Sequence, residues 1–286
     1  MPSIQTALQT AAQAGLDRLD AQLLLLHALG RAQSERAWLI THDDELLDAA
    51  TLLAFAALCQ RRAAGEPLAY IVGSKAFFGL DLRVDQRVLI PRPDTETLVE
   101  WALALAQADD KTSRVLDLGT GSGAIALALK HTRPDWQITA LDASLDALTV
   151  ARGNAQRLGL NVDFIQSSWF DALSMAKTVT FDLLVSNPPY IVEGDTHMAA
   201  LGHEPKQALT SGFDGLADIR QIVQQAPAFL QPGGWLLLEH GYDQAFSVRE
   251  LLVQRGFAQV QSRLDLTQIE RCSGGQWVGS GGAMTG

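Results

Sequence analysis

The sequence predicts an α/β protein: a doubly wound, mostly parallel sheet, preceded by a small N-terminal helical bundle and joined to it by a β-hairpin linker. Three observations carry this reading. Apolar residues recur at helical spacing through the first 64 positions, with no strand-like alternation before Tyr70. From residue 95 onward, short β-prone runs alternate with amphipathic helical stretches. A glycine-rich loop stands between the first of those strands and its helix, the place where a doubly wound sheet opens towards a ligand.

The first module is expected over 1–74. Ile4, Leu8, Ala11 and Ala12 mark one helix and Leu19, Leu23, Leu26, Ala28 and Leu29 a second, with Gly15 and Gly30 as stops. A longer helix follows over 44–64, ended by Gly65 and Pro67. Residues 1–75 carry six Lys or Arg against eight Asp or Glu, which excludes a basic nucleic-acid-binding arm and points to recognition of a protein substrate. The linker, 75–92, contains β-prone pieces at 75–78 and 80–84 around Gly79, and a third at 87–90. It leads to Pro91-Arg92-Pro93-Asp94-Thr95-Glu96, where Asp94 or Thr95 can cap the next helix and Glu96 suits its first turn. Arg92, locked between prolines, is a candidate contact to cofactor or substrate; a surface arginine at a rigid helix start fits the pattern equally.

The larger domain is expected over 93–280, with a flexible tail at 281–286. Its elements read as helix 95–107, strand 114–118, helix 124–131, strand 137–141, helix 145–158, strand 162–166, strand 181–186, helix 216–230, strand 235–239, helix 244–255 and strands 258–262 and 263–269. Two strand ends carry chemistry. Asp117-Leu118-Gly119-Thr120-Gly121-Ser122-Gly123 lets backbone approach a ligand where helix amides point outward. With Ala124 it satisfies the dinucleotide fingerprint, so it leaves a nicotinamide and another adenosine cofactor both open. Asp142 ends the next strand, 25 residues after Asp117, where an acid suits the two hydroxyls of a ribose. Asp117 itself reads as a group that hydrogen-bonds loop amides. Trp169, in Ser167-Ser168-Trp169-Phe170-Asp171, can lie against a flat base or fill the core.

Asn187-Pro188-Pro189-Tyr190 ends the apolar run 181–186. Two prolines cannot continue a ladder, so Asn187 is held at a strand's carboxyl edge, followed by a stiff backbone and an aromatic ring. Asn-Pro-Pro is also ordinary turn chemistry; the adenosine pocket nearby favours a site for a planar NH2 group. His197, His203 and Glu204, in the same loop, read as loop structure or entrance contacts rather than catalysts.

Composition bounds the partners. With 286 residues, 47% apolar and 19% charged, the chain can bury a full core. Its 22 basic and 32 acidic residues give a net charge of -10, which opposes binding to bulk nucleic acid. Cys59 and Cys272 lack metal-ligand spacing and read as free thiols of a reducing compartment; no metal site is expected. Residues 1–15 do not pattern as a signal peptide and no apolar run nears membrane-spanning length, so a cytoplasmic protein with no membrane contact is expected.

Taken together, Ile90 to Glu96, the 117–123 loop, Asp142, Asn187 to Tyr190, Glu204-Pro205, Ala208-Leu209 and Asp214-Gly215-Leu216 resemble the HemK/PrmC family of class I, Rossmann-like methyltransferases. The resemblance spans most of 67–240. It implies an S-adenosyl-L-methionine-dependent enzyme that methylates the N5 side-chain nitrogen of the glutamine in the GGQ motif of peptide chain release factors. By the same resemblance, Gly119, Thr120, Gly121, Ser122 and Gly123 face the methionine end of the cofactor, Asp142 the ribose and Trp169 the adenosine. Asn187, Pro188, Pro189 and Tyr190 grip the substrate amide, with Asn187 also beside the cofactor. Ser168 departs from the family, where an acid is common, and the chain after Leu266 follows it only loosely. The tetrad is shared with adenine-N6 nucleic-acid methyltransferases, which stand as the alternative, beside glutamine methylation of a ribosomal protein. A nicotinamide oxidoreductase fits the glycine loop but gives the tetrad no purpose, and a non-catalytic module leaves both sites idle. Gly274-Gly275-Gln276 repeats the tripeptide that release factors present for methylation, and reads as coincidence.

Overall fold

The computed structural model describes residues 1–106, 113–174 and 179–279; Gln107 and the tail expected at 281–286 lie outside the described residues. The chain divides into two compact units, Met1–Ser74 and Lys75–Gly286.

The first unit is helical: α1 (Ile4–Gln13), α2 (Arg18–Ala28), α3 (Arg36–Thr41), α4 (Ala49–Ala63) and α5 (Leu68–Val72). Side-chain caps set the starts. Asp17 accepts from the Leu19 amide at 2.8 Å, and Asp48 from the Thr51 amide at 2.7 Å. The second cap explains why the helix expected from residue 44 begins only at Ala49. The leucine run packs inward, with Leu24, Leu25 and Leu26 buried against Ile4, Leu39 and Phe55. Helices α3 and α5, six and five residues long, are too short to show a periodic signal and escaped the sequence reading.

A hairpin follows, β1 (Ser74–Phe77) and β2 (Leu80–Arg83). The third β-prone piece, 87–90, is not a strand: the Arg87 amide donates to Asp85 Oδ1 and the Ile90 amide to Glu204 Oε2, each at 3.1 Å. Side-chain partners occupy the groups a ladder would need. A 3-10 turn, Pro93–Thr95, then leads into α6 (Glu96–Ala106). The side chains expected to cap that helix have other partners: Asp94 meets Arg271 at 3.2 Å and Thr95 meets Asn187 at 3.1 Å.

Beyond this come β3 (Arg114–Leu118), α7 (Ala124–Thr132), β4 (Gln137–Asp142), α8 (Leu145–Leu158), β5 (Asp163–Gln166), α9 (Asp171–Ser174), β6 (Phe181–Ser186), α10 (Ala217–Gln225), β7 (Leu230–Glu239), α11 (Ala245–Arg255), β8 (Phe257–Leu264) and β9 (Glu270–Trp277). They form one seven-stranded sheet in the order β5-β4-β3-β6-β7-β9-β8, parallel up to β7 and antiparallel at β9 and β8. One core cluster gathers α6 and α7 residues such as Leu98, Trp101, Leu127 and Leu129; a second gathers Ile219, Ile222, Val248 and Leu252 of α10 and α11. Helices thus cover the sheet in a doubly wound arrangement.

The C-terminal strands differ from expectation. Residues 265–269 are a turn, closed by Asp265 accepting from the Thr267 and Ile269 amides at 2.8 and 3.0 Å, and the strand begins at Glu270. The pair Gly274-Gly275 conceals that strand in the sequence, because glycine carries no β propensity. Gln276 pairs with Trp235 in the ladder and donates its side-chain amide to the Gly233 carbonyl at 2.9 Å, so this glutamine is a structural member of the sheet. Among the described residues, no helix is long and apolar enough to cross a membrane.

Candidate active site

The direction of winding reverses between β3 and β6, and a ligand crevice forms where adjacent loops part at such a point. Leu118 and Ser186 are register partners, so the glycine loop and the Asn187 tetrad leave the sheet side by side. The Ser186 hydroxyl clamps the two strands together by donating to the Leu118 carbonyl at 2.7 Å. Prolines then prevent any further pairing on the β6 side.

Gly119, Gly121 and Gly123 all have positive φ, at 71°, 56° and 85°. A Cβ on Gly119 would lie 3.5 Å from the Trp169 ring, so the indole packs close over the bare backbone of the turn. Trp169 holds φ 43°, an uncommon conformation for so bulky a residue, and its indole NH donates to Asp218 at 3.2 Å. Asp142 accepts from the Gly121 amide and the Ser144 amide, each at 2.9 Å, one on each carboxylate oxygen. Burial raises its pKa, while those two amides pull it down.

Asp117 is fully buried beneath the loop. One oxygen accepts from the Thr120 hydroxyl at 2.6 Å and the Ala126 amide at 3.3 Å; the other has no partner among the described residues. Burial pushes this carboxyl up to about 7, against the opposing pull of Thr120 and Ala126. A cavity of about 390 Å³ opens over Gly119, Gly121, Asp142, Trp169, Asn187 and Pro189, with Ser144 and Ser168 on its wall. A cavity with an indole on its wall and the Asp142 carboxylate beside it suits a ligand that combines a flat ring and hydroxyls.

The tetrad has its own support. Asn187 donates its Nδ2 to Thr95 Oγ1 at 3.1 Å, which leaves the amide oxygen free to accept. Pro188 is buried and Tyr190 half-buried. The Tyr190 hydroxyl lies 3.5 Å from Glu239 Oε1, and the Arg271 guanidinium lies 5.8 Å from the centre of its ring. Burial, then the nearby Glu239, pushes the phenol up to about 12, so Tyr190 is neutral. Glu239 is itself fully buried at the end of β7 and pushed up to about 7 by desolvation, with Thr95 and Arg271 drawing it down. Arg92 does not line the cavity; it pairs with the buried Glu204, which also accepts the Ile90 amide, so the Pro-Arg-Pro segment is tied to the loop after the tetrad.

The structure therefore gathers Gly119, Gly121, Asp142, Trp169, Asn187 and Pro189 around one cavity, with Pro188 and Tyr190 beside it and Thr120, Ser122 and Gly123 in the turn that shapes it. Sequence reasoning missed Thr95, Asp218, Glu239 and Arg271. For Glu239 a signal existed, since it is an acid ending an apolar strand, the same pattern that singled out Asp142.

Residues 98–261 match the model of the methyltransferase small domain, and residues 4–73 that of the PrmC N-terminal domain. A release factor glutamine methyltransferase of Burkholderia pseudomallei is 50% identical, covering 97% of this chain and 98% of the relative. One of Pseudomonas aeruginosa is 51% identical over 91% of this chain and 93% of the relative. Among solved structures, a methyltransferase from Pyrococcus furiosus superposes with a TM-score of 0.54 at 19% identity, covering 76% of this chain and 98% of that one. A 16S rRNA N2 G1207 methyltransferase of T. thermophilus superposes at 0.51 with 20% identity, over 71% and 49%. These two share the fold. With half of all positions identical along almost its whole length and both domain models matched, the chain belongs to the release factor glutamine methyltransferase family.

Proposed function

We propose that this protein transfers a methyl group from S-adenosyl-L-methionine to the N5 side-chain nitrogen of the glutamine in the GGQ motif of a peptide chain release factor. The observation that carries this reading is the state of Asn187: its NH2 group is engaged by Thr95, so an amide oxygen faces the cavity as an acceptor. The names of the relatives that share half of its positions support the choice of substrate.

The residues around the cavity fit the donor. The Gly119–Gly123 turn, formed by Gly119, Thr120, Gly121, Ser122 and Gly123, would hold the methionine end; Asp142 would hold the ribose hydroxyls, and Trp169 the adenine. When bound, S-adenosyl-L-methionine supplies an electrophilic methyl group on its sulfonium. The protein's task is the nucleophile, because the lone pair of a carboxamide nitrogen is delocalised into its carbonyl. The oxygen of Asn187 and the carbonyl of Pro188 accept the two amide hydrogens, orient the nitrogen and bear the positive charge that develops on it. Tyr190 stacks on the flat amide and keeps water away, and Pro189 holds the backbone stiff. Arg92 contributes through Glu204, by fixing the loop that follows. No base with a matched pKa is required, since an N-methylated amide cation sheds its extra proton readily.

The helical unit, 1–74, serves protein recognition, and the enzyme works in the cytoplasm, a setting that suits its two free thiols. Adenine-N6 methylation of nucleic acid uses the same tetrad chemistry but has to overcome a net charge of -10. Incubation with tritiated cofactor and, separately, a release factor, a ribosomal protein fraction, DNA and RNA is expected to label the release factor alone, at the GGQ glutamine. Asn187→Ala is expected to lower kcat by about a hundredfold or more with cofactor affinity nearly unchanged. Parent-like turnover in that variant would sink the amide clamp.

A further inference from the structure

An asparagine amide is nearly symmetric in shape and opposite in chemistry at its two ends. Rotated by half a turn, Asn187 would show the substrate an NH2 group, donor against donor, and the clamp would repel what it has to hold. Something on the inner side has to choose the orientation.

Two buried groups stand there. Thr95, only 4% exposed, takes the Asn187 NH2 on its hydroxyl oxygen at 3.1 Å. Glu239, with no exposure at all, follows Leu238, the register partner of Ser186, and so reaches the level of Asn187 from the neighbouring strand. Its Oε2 has no hydrogen-bond partner among the described residues, and its Oε1 lies 3.5 Å from the Tyr190 hydroxyl. A hydroxyl has one proton. Glu239 is drawn down in pKa by the side chains of both Thr95 and Asn187, which places its carboxyl beside both; a hydroxyl proton turned towards that carboxyl leaves lone pairs of Thr95 for the Asn187 NH2, the arrangement in which Thr95 Oγ1 accepts at 3.1 Å. An asparagine oxygen turned inward would meet those lone pairs and the carboxyl oxygens of a buried acid, acceptor against acceptor; the NH2 edge meets them favourably.

We propose that Thr95, backed by the buried carboxyl of Glu239, is a positioning residue that locks the Asn187 amide with its oxygen towards the substrate. This rests on the reading of Asn187 as the acceptor of the substrate amide. It also gives a purpose to a threonine that precedes α6 yet uses its side chain 92 residues away rather than as a cap.

The test compares four residues at position 95 that form two pairs, each differing by one hydroxyl: the parent Thr against Thr95→Val, and Thr95→Ser against Thr95→Ala. The full chain is assayed with an intact unmethylated release factor for kcat and KM, and with S-adenosyl-L-methionine by calorimetry. Loss of the hydroxyl is expected to lower kcat by about ten- to hundredfold in both pairs, with KM and cofactor Kd within about threefold, as misorientation of a reacting group costs rate rather than binding. Thr95→Ser is expected to turn over within about threefold of the parent. If Thr95→Val does not fold, the Ser and Ala pair decides. A kcat ratio below about twofold within the pairs, while Asn187→Ala still loses about a hundredfold, overturns the orienting role and leaves the clamp standing. Parent-like turnover in Asn187→Ala overturns both.

Discussion

At the scale of single residues, the site depends on which polar atoms are left over once the protein has satisfied its own. Asp142 gives one oxygen to the Gly121 amide and the other to the Ser144 amide, and these bonds aim its remaining lone pairs into the cavity. Asp142→Ala is expected to weaken S-adenosyl-L-methionine binding by about ten- to hundredfold, the worth of one or two charge-assisted hydrogen bonds, with a smaller effect on kcat at saturating cofactor. Calorimetry beside steady-state turnover separates the two. Asp142 was legible because an acid at a strand end in an alternating pattern has few other uses. Arg92 was legible only as a stiffly held cation; that Glu204, 112 residues later, takes its charge depends on a contact no local pattern encodes.

At the scale of elements, the tetrad is held by the loop that follows it. The Ile191 amide donates to the Leu209 carbonyl and the Ser211 amide to the Ile191 carbonyl, both at 2.9 Å, and the Glu193 amide donates to Gly212 at 3.0 Å. Gly215 then passes directly against the tetrad, with φ 70°; a Cβ there would lie 2.2 Å from the Tyr190 carbonyl oxygen and 2.6 Å from Gln244 Nε2. Gly215→Ala is expected to shift Tyr190, lowering kcat by about tenfold or more and Tm by several degrees, because both the backbone conformation and the contact are unfavourable. Thermal melting and turnover report the two effects, and an unchanged Tm would contradict the crowding. Long periodic helices such as α8 were readable, since apolar spacing reflects burial of one face. The strand β9 was not, because its two glycines lack the side chains that carry a strand signal, and the 3-10 turn before α6 was not, because Asp94 and Thr95 bond to distant partners in place of the helix end.

At the scale of the whole molecule, folding traps two carboxyls away from water. Asp117 and Glu239 are each pushed up to about 7 by burial, whereas in the unfolded chain they titrate in the ordinary range near about 4. The folded state therefore holds their protons more tightly than the unfolded state. The stability they contribute is complete below about pH 4 and is lost as pH rises through about 7. Glu239→Gln removes one of these ionisations, so its melting temperature is expected to gain on the parent's between about pH 5 and about pH 8; a constant difference across that range would contradict the burial argument. Taken alone, the sequence determined the helical character of the first unit, the alternation of strand and helix in the doubly wound sheet, the glycine turn and the stiff tetrad at a strand end. Each of these follows from local backbone chemistry: proline ends a ladder, glycine permits positive φ, and apolar period reports which face is buried. Only the tertiary structure decided which polar side chains face the cavity and which are consumed behind it. Arg92, Thr95, Asp117 and Glu239 acquire their roles from burial and from partners that in several cases lie far along the chain, and those quantities exist only once the strands have been laid side by side.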